Sequence, residues 1–498
     1  MGIKGTTAET NELTRLFPDG ISGRRIHAMG AGGIGISAVI QLARARGARV
    51  TGCDTAETSM SRFLAAQGVS IARGHDPAHL VDSEGPVDLV VNVPAVTVLD
   101  PHQPEIEAAR ERGIPVVDWQ ELLGYLMVGS IGVSVAGVHG KGSTTALLGA
   151  LAVAGGLDPT VEVGAVVPPW GSNVRIGKGS FFINEADEWN YNFLHYHPRV
   201  VVLTAIEYDH PEFFASYEDI REAFMRFVAG MDMAQRRHAA SGPRPTLVVN
   251  ADNFGCLDVR ARLGADWPGD VRTFGIDAVD ADVRGTEVQI GEETSFRLWM
   301  HGRDLGRVVL RMPGEHNVLD ALAAVAGAEV IGVPAEVMAP ALSAFPGLRR
   351  RFDISQDARD VIYVDDYAHH PHAVQLTLET ARLRFPGRRI VGVFQPTLFT
   401  RLHRFLEPFS AAFDAADAVV IVEIQPSRER DTGLIHGRDL VRKIQARAAF
   451  AGREDAVVYG GTFPETVETL RGMLRPGDVL VVMGSGPVNQ IIPPLRDA

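Results

Sequence analysis

The sequence predicts an α/β protein of three domains, each built around a largely parallel, doubly wound sheet. Three observations lead there. The chain has 498 residues, more than one ordinary hydrophobic core serves. Short apolar runs alternate with helical stretches along most of its length, the pattern of strand–helix–strand units. Its 52 glycines cluster, and two of the clusters fall at strand-to-helix turns.

The first unit opens with RIHAMG (25–30), a buried strand, followed by the helical stretch ISAVIQLARARG (36–47). ARVTGCD (48–54) reads as the next strand and ends in an acid, SRFLAAQG (61–68) as a helix, and VDLVVNVPA (87–95) as another buried strand. A second unit starts at SIGVSVAGVHGKGSTTALLGALAVAGG (130–156), a strand, a glycine turn and a helix, with RVVVLTAIEYDH (199–210) and PTLVVNAD (245–252) as further strands. Between about 270 and 312 strand-formers such as SFRLWM (295–300) and RVVLRM (307–312) recur without helices, which predicts an antiparallel insert. EHNVLDALAAVAGAEVIG (315–332) predicts a helix. After FPGLRRRFD (345–353), a third unit carries buried strands in RDVIYVDDYAHHP, GRRIVGVFQP, DAVVIVEIQP and GDVLVVMGSG. The breaks near 130 and 349 divide the chain into 1–130, 131–349 and 350–498.

Composition excludes several classes. Hydrophobic residues make up 46% and charged residues 22%, close to globular averages, so long disorder and low-complexity architectures are not expected. A net charge of −13 disfavours a broad nucleic-acid surface but not anionic small molecules held at discrete loops. Two distant cysteines, Cys53 and Cys256, allow neither a disulfide framework nor a Cys-rich zinc site and fit a reducing cytoplasm. MGIKGTTAETNELTRLF at the start lacks the apolar core of a secretory leader, and no run of about 18 apolar residues predicts a membrane span.

The second unit holds the clearest chemistry. Gly137–Val138–His139–Gly140–Lys141–Gly142–Ser143–Thr144 follows a buried strand and opens a helix, the setting a phosphate loop requires. Glycines let backbone N–H groups turn to phosphate oxygens, lysine adds charge, and a hydroxyl can meet Mg²⁺. Gly142 separates Lys141 from Ser143, so Ser143 is the expected metal hydroxyl, with Thr144 next. Asn184–Glu185–Ala186–Asp187–Glu188 and, downstream, Glu207, Asp209 and His210 bring acids to two further strand ends. Packed acids are costly unless solvated, paired or metal-bound, so these ends and the loop predict a Mg²⁺–nucleotide site at one sheet edge. In the first unit, Gly30–Ala31–Gly32–Gly33–Ile34–Gly35 followed by Asp54 at the next strand end also matches a dinucleotide fingerprint, which keeps an NAD-dependent oxidoreductase as an alternative class.

These motifs resemble the Mur ligase family, ATP-dependent enzymes that form amide bonds in cell-wall precursors. The likeness spans nearly the whole chain: MGAGGIGIS (29–37), GVHGKGSTT (137–145), EADE (185–188), IEYDH (206–210), PGEHNVLDALAA (313–324), FPGLRRRFD (345–353), DDYAHHP (365–371) and VFQP (393–396) occur in the family's order. The resemblance implies Rossmann-like domains at both ends of a central P-loop ATPase domain. It also implies a ligase that joins L-alanine or a related amino acid to the lactyl carboxylate of UDP-N-acetylmuramate through an acyl phosphate. A sister activity, which attaches whole murein peptides to the same acceptor during recycling, is the alternative, because LHYHPRVVVLTAIEYDHPEFF (194–214) is similar to that branch.

The resemblance also assigns roles. ATP and Mg²⁺ are the implied cofactors. Lys141 holds the β- and γ-phosphates within His139–Thr144; Ser143 and Glu185 bind one Mg²⁺, and His210 a second, shared with the substrate carboxylate. His316 and Asn317 lie by the adenine, Arg350 reaches the phosphates from the hinge, and Asp365 and His369 close the nucleotide from the third domain. Gly30, Gly32, Gly33 and Gly35, with Asp54 and His75, bind the diphosphate and uridine of a UDP-sugar, and Arg401 stands on the amino-acid side. UDP-sugar and an amino acid or short peptide are the implied partners, with no nucleic acid or membrane, on a monomer or weak homodimer. The chain departs from the family pattern at Asn92–Val96, at Trp189–Asn190, at Ala205, and at Thr397–Leu398, where His–Arg is usual. Leucine cannot replace an arginine as a bidentate carboxylate partner. His369, His370 and His372 are expected to take nucleotide-side or surface positions rather than to form a metal site, and Trp170 to pack in its loop.

Overall fold

The computed structural model describes residues 12–82, 85–233, 242–291 and 293–497. The first 11 residues, most of the segment read for a leader, lie outside these. Among the described residues three large sheets carry the fold, one per domain.

The first sheet contains β1 (Arg25–Met29), β2 (Arg49–Asp54), β3 (Ser70–Arg73), β4 (Leu89–Asn92) and β5 (Val116–Asp118), in the order β3-β2-β1-β4-β5 and parallel throughout. The order reverses at β1, so a crevice opens beyond the carboxyl ends of β1 and β4. Helix α1 (Ile34–Ala45) leaves that crevice. The strand expected to reach residue 95 stops at Asn92, because Pro94 starts a helix, Pro94–Leu99. Proline fits the first helical turn, where its missing N–H costs no bond.

The central sheet has ten strands: β6 (Ile131–Ala136), β7 (Thr160–Val167), β8 (Ser172–Arg175), β9 (Phe181–Ala186), β10 (Val200–Leu203), β11 (Thr246–Asn250), β12 (Asp270–Gly275), β13 (Val283–Ile290), β14 (Thr294–Met300) and β15 (Arg303–Leu310). Their order is β8-β7-β9-β6-β10-β11-β12-β13-β14-β15. β6 and β10 are buried along their whole length, as parallel strands covered on both faces should be. The expected antiparallel insert is present as β13–β15, but it continues the same sheet: Phe274 and Gly275 pair in parallel with Val283 and Arg284 before the chain reverses. Helices α2 (Lys141–Ala154) and α3 (Glu315–Val330) share one core with this sheet, their small residues allowing close packing. Trp170 packs against that core, as expected.

β10 was expected to run to His210 and instead ends at Leu203. The Thr204 hydroxyl donates to the carbonyls of Ala136 and His139, and His210 takes a φ of 54°. Residues 204–210 therefore form a loop across the ends of the strands.

The third sheet contains β16 (Asp353–Gln356), β17 (Ile362–Asp366), β18 (Ile390–Phe394), β19 (Ala418–Val422), β20 (Val457–Gly461) and β21 (Val479–Met483), in the order β16-β17-β21-β18-β19-β20. Only β16 runs antiparallel to its neighbour. Helix α4 (Pro371–Arg384) follows β17. No helix among the described residues is long and apolar enough to cross a membrane.

The first two domains share an apolar core and a buried polar seam. In that seam Gln41 donates to Asn173 Oδ1 at 3.1 Å and accepts from the Ser172 hydroxyl at 2.8 Å. The third domain meets the other two across a cavity.

Candidate active site

That cavity, of about 710 Å³, is walled by all three domains. The first contributes Ile34, Gly35 and Trp119, the second the loop His139–Ser143 and its neighbouring acids, and the third Asp366 to His370, His372, Arg401 and Arg428.

β6 ends at Ala136 and the chain turns through Gly137–Gly140 into α2. Gly140 is left-handed, with φ 77°, and a Cβ there would run into the Asp320 carboxylate, so only glycine fits. Gly140, Lys141, Gly142 and Ser143 line the cavity at the N-terminus of α2, where unpaired N–H groups favour an anion. Thr144 lies beneath, its hydroxyl donating to Asp320 at 3.4 Å. Asp320 lines the cavity too, a residue no sequence motif singled out, and burial pushes its carboxyl up to about 7.

Lys141 Nζ donates to the Gly137 carbonyl at 2.6 Å and to Glu188 Oε2 at 2.8 Å. Burial works against its charge, but Glu188, Asp187 and Glu185 raise its pKa above the ordinary value. Glu188 is fully buried; burial opposes its charge, yet Lys141 and His210 hold it at about 2. His210 Nε2 lies 3.4 Å from Glu188 Oε1 and its Nδ1 lies 3.2 Å from Glu212. Burial would lower His210, but Asp209, Glu188 and Glu212 lift it to about 9.

Asp187, Glu188 and His210 bring one ligand atom each to within 4.8 Å of one another, a donor set that suits a divalent cation. Glu185, expected to share an ion with Ser143, lines the cavity beside the loop: its Oε2 accepts from the Gly164 N–H at 2.7 Å and packs against Gly142 at the start of α2. The acids EADE thus divide between the loop and His210.

From the third domain, His369, His370 and His372 all line this cavity; His370 is buried, His369 half-buried and His372 exposed, which agrees with nucleotide-side or surface positions. The His370 ring lies 5.0 Å from that of His139 and 5.2 Å from that of Phe405, with no hydrogen-bond partner on either nitrogen. Burial and the neighbouring His370 push His139 down to about 3; burial pushes His370 to about 4 and His316 to about 4. Burial therefore favours the neutral form of these imidazoles, in which one ring nitrogen donates and the other accepts. His316 and Asn317 are neighbours, Nε2 to Nδ2 3.0 Å, and both line the cavity.

Arg350 and Asp365 need correction. The Arg350 guanidinium donates to the carbonyls of Gly484 and Gly486 at 2.7 and 2.8 Å, and its Nε lies 3.5 Å from Asp365 Oδ1. The pair therefore braces the third domain from inside. The next residues along, Arg351 and Asp366, line the cavity instead. Adjacent residues on an extended strand face opposite ways, and the left-handed φ of 59° at Arg350 turns the chain between the two arginines.

Arg401 is buried, donating to Asp209 Oδ1 at 3.0 Å with Nη2 3.2 Å from His210 Nδ1. Burial works against the Asp209 charge, but Arg401 holds it well below the usual carboxylate range. Arg428, missed in the sequence, ion-pairs with Glu212 and stacks over Trp189 at 4.2 Å. Thr397 bonds Ser485 at 2.8 Å, and Leu398 lines the cavity with φ 69°.

The N-terminal loop is set apart from most of these groups. Gly30 donates to the Cys53 carbonyl at 2.8 Å, and Gly33 caps α1. Asp54 accepts from the N–H groups of Gly32 at 2.8 Å and Ala56 at 2.9 Å, so both its oxygens are engaged within the turn. A Cβ on Gly35 would meet the Trp119 ring at 2.6 Å; the pair forms the first domain's edge of the cavity. His75 Nδ1 lies 3.1 Å from Cys53 Sγ.

Comparison with known proteins agrees with this three-part arrangement. Residues 25–130 match the model of the Mur ligase family, catalytic domain, residues 178–328 the Mur ligase middle domain, and residues 350–486 the Mur ligase, glutamate ligase domain. A UDP-N-acetylmuramate–L-alanine ligase of Desulfitobacterium hafniense is 37% identical over 470 residues, covering 94% of this chain and 98% of that protein. The crystal structure of a UDP-N-acetylmuramate–alanine ligase from Thermotoga maritima superposes with a TM-score of 0.77 at 25% identity, covering 95% of this chain and 98% of that one. A murein peptide ligase from Psychrobacter arcticus gives 0.70 at 25% identity, with the same coverage.

Proposed function

Because the chain belongs to the Mur ligase family, we propose that it joins L-alanine to the lactyl carboxylate of UDP-N-acetylmuramate at the expense of ATP, in peptidoglycan precursor synthesis. The observation that carries this reading is the end-to-end likeness to L-alanine ligases; the shared cavity supports its chemistry.

A carboxylate oxygen attacks the γ-phosphorus of ATP and ADP leaves; the amine then attacks the acyl carbon and phosphate leaves. Both steps bring anions together, so fixed positive charge must offset them. Lys141 and the N-terminus of α2 take the phosphates, and Arg351 supplies the cation expected of Arg350. The turn Gly30–Gly35 holds the diphosphate of the UDP-sugar at the start of α1, where the N–H groups of Ile34 and Gly35 have no partner within the helix. Mg²⁺ fits the donor sets, with Ser143 and Glu185 beside the loop and His210 with Asp187 and Glu188 as holders; when bound it draws charge from the reacting oxygens. Closure of the third domain through Arg401 and Arg428 excludes water from the acyl phosphate. We read the domains as 1–130, 131–349 and 350–498, working in the cytoplasm as a monomer or weak homodimer.

The test is phosphate release with ATP, Mg²⁺ and UDP-N-acetylmuramate across amino acids and short peptides. Stimulation by L-alanine is expected. Stimulation by a tripeptide alone replaces it with the peptide-ligase reading, and no response to any UDP-sugar overturns both.

A further inference from the structure

Beneath the glycine loop of the first domain, four side chains of metal-ligating type converge: His27 on β1, Cys53 on β2, His79 in the turn Pro77–Leu80 and Glu105 in the helix Pro104–Glu111. We propose that these four form a structural site for one divalent transition-metal ion of the zinc class, separate from the nucleotide cavity.

The geometry is close to what such an ion requires. His27 Nε2 lies 2.9 Å from Glu105 Oε1 and 3.3 Å from Cys53 Sγ. His79 Nδ1 lies 3.3 Å from Glu105 Oε1, and Cys53 Sγ lies 3.5 Å from Glu105 Oε2. Ligand atoms around a tetrahedral zinc stand roughly 3.3–3.8 Å apart, given its bond lengths. A modest outward shift of the ring nitrogens and the sulfur makes room for the ion.

The donor set also selects the metal class. Thiolate and imidazole favour zinc-like ions over Mg²⁺, which takes oxygen. Binding costs the Cys53 thiol its proton, which passes to solvent as the Sγ–metal bond forms.

Two further features fit a ligand site. His27 Nδ1 lies 2.9 Å from the Thr51 hydroxyl, which fixes the ring with Nε2 facing the other three ligands. Cys53, His27 and Glu105 are all buried, whereas His79 is 20% exposed, leaving an entry path on one side. His75, with Nδ1 3.1 Å from Cys53 Sγ, stands at that side as a reserve ligand.

The site has a structural consequence. It ties two strands, a turn and a helix that are distant in sequence. The Cys53 carbonyl meanwhile accepts from the N–H groups of Gly30 and Ala31 at 2.8 and 3.0 Å. An ion here braces the floor of the glycine loop.

Cobalt alone, titrated into the chelator-stripped full-length chain, tests the proposal. One equivalent should produce tetrahedral d–d bands and a thiolate charge-transfer band, both displaced by zinc. Cys53→Ser should lose the charge-transfer band and Cys256→Ser should keep it. Zinc affinity should fall by about 100-fold or more in His79→Ala and by about 10- to 100-fold in Thr51→Val. Cobalt bound without a thiolate band, or zinc affinity unchanged in both Cys53→Ser and His79→Ala, overturns the proposal. Should a variant fail to fold, the native chain's cobalt spectrum still decides.

Discussion

Arg401 and Asp209, 192 residues apart in sequence, form a buried ion pair at 3.0 Å that joins the third domain to the loop after β10. Each side chain is only 3% exposed. Removing one partner strands the other charge in a low-dielectric interior, a loss of about 3–5 kcal/mol for such pairs. Arg401→Met and Asp209→Asn should each lower kcat/KM by roughly 100-fold or more. The double variant should fall far short of the product of the two. Steady-state kinetics of the four proteins checks this; fully multiplicative losses mean that the pair does not act as a unit.

Lys141 carries the phosphate-loop assignment. Lys141→Ala should reduce ATP turnover by roughly 100- to 1000-fold, the usual cost of losing one preorganised charge at a reacting oxygen. Undiminished turnover in that variant removes the assignment.

Arg350 and Arg351 should separate cleanly. Arg351 lines the cavity, and its charge acts on His316, Asp320 and Asp366. Arg351→Ala should raise the KM for ATP by about tenfold or more, the scale of one charged hydrogen bond, with little change in Tm. Arg350→Ala loses its bonds to the Gly484 and Gly486 carbonyls and should lower Tm instead. Kinetics and thermal melts of the two variants read the difference.

Asp365 gives a pH signature. Burial raises its pKa to about 6, against the lowering effect of Arg350. The folded state therefore holds this proton more tightly than the unfolded chain, and the stabilisation is complete below the unfolded value of about 4. It is lost as pH rises from about 4 through 6, a change on the order of 2–3 kcal/mol. Melts of wild type and Asp365→Asn across this range should show wild type losing Tm relative to the variant as pH rises. A constant difference contradicts the assignment.

The same two neighbours show what could be read from sequence. RRR at 349–351 and DD at 365–366 marked the right segments, because apolar runs and hinge residues are local signals. Which arginine and which aspartate line the cavity depended on strand phase and one left-handed residue, and neither is encoded in a motif. The place of the glycine–lysine–hydroxyl loop, between a buried strand and a helix at the cavity, was legible because its spacing is a local signal. The pairs Asp209–Arg401 and Glu212–Arg428 were not, since each joins residues that only tertiary folding brings together. The division of the EADE acids was hidden for a similar reason: Glu185 is claimed by the Gly164 N–H from a neighbouring strand.

The most direct test of the ligase account follows an oxygen atom. UDP-N-acetylmuramate labelled with oxygen-18 in its lactyl carboxylate is incubated with the full chain, ATP, Mg²⁺ and L-alanine, and the released phosphate is analysed by mass. The account predicts one heavy oxygen in each phosphate, carried over from the carboxylate through the acyl phosphate. Amide product formed alongside wholly unlabelled phosphate would contradict it.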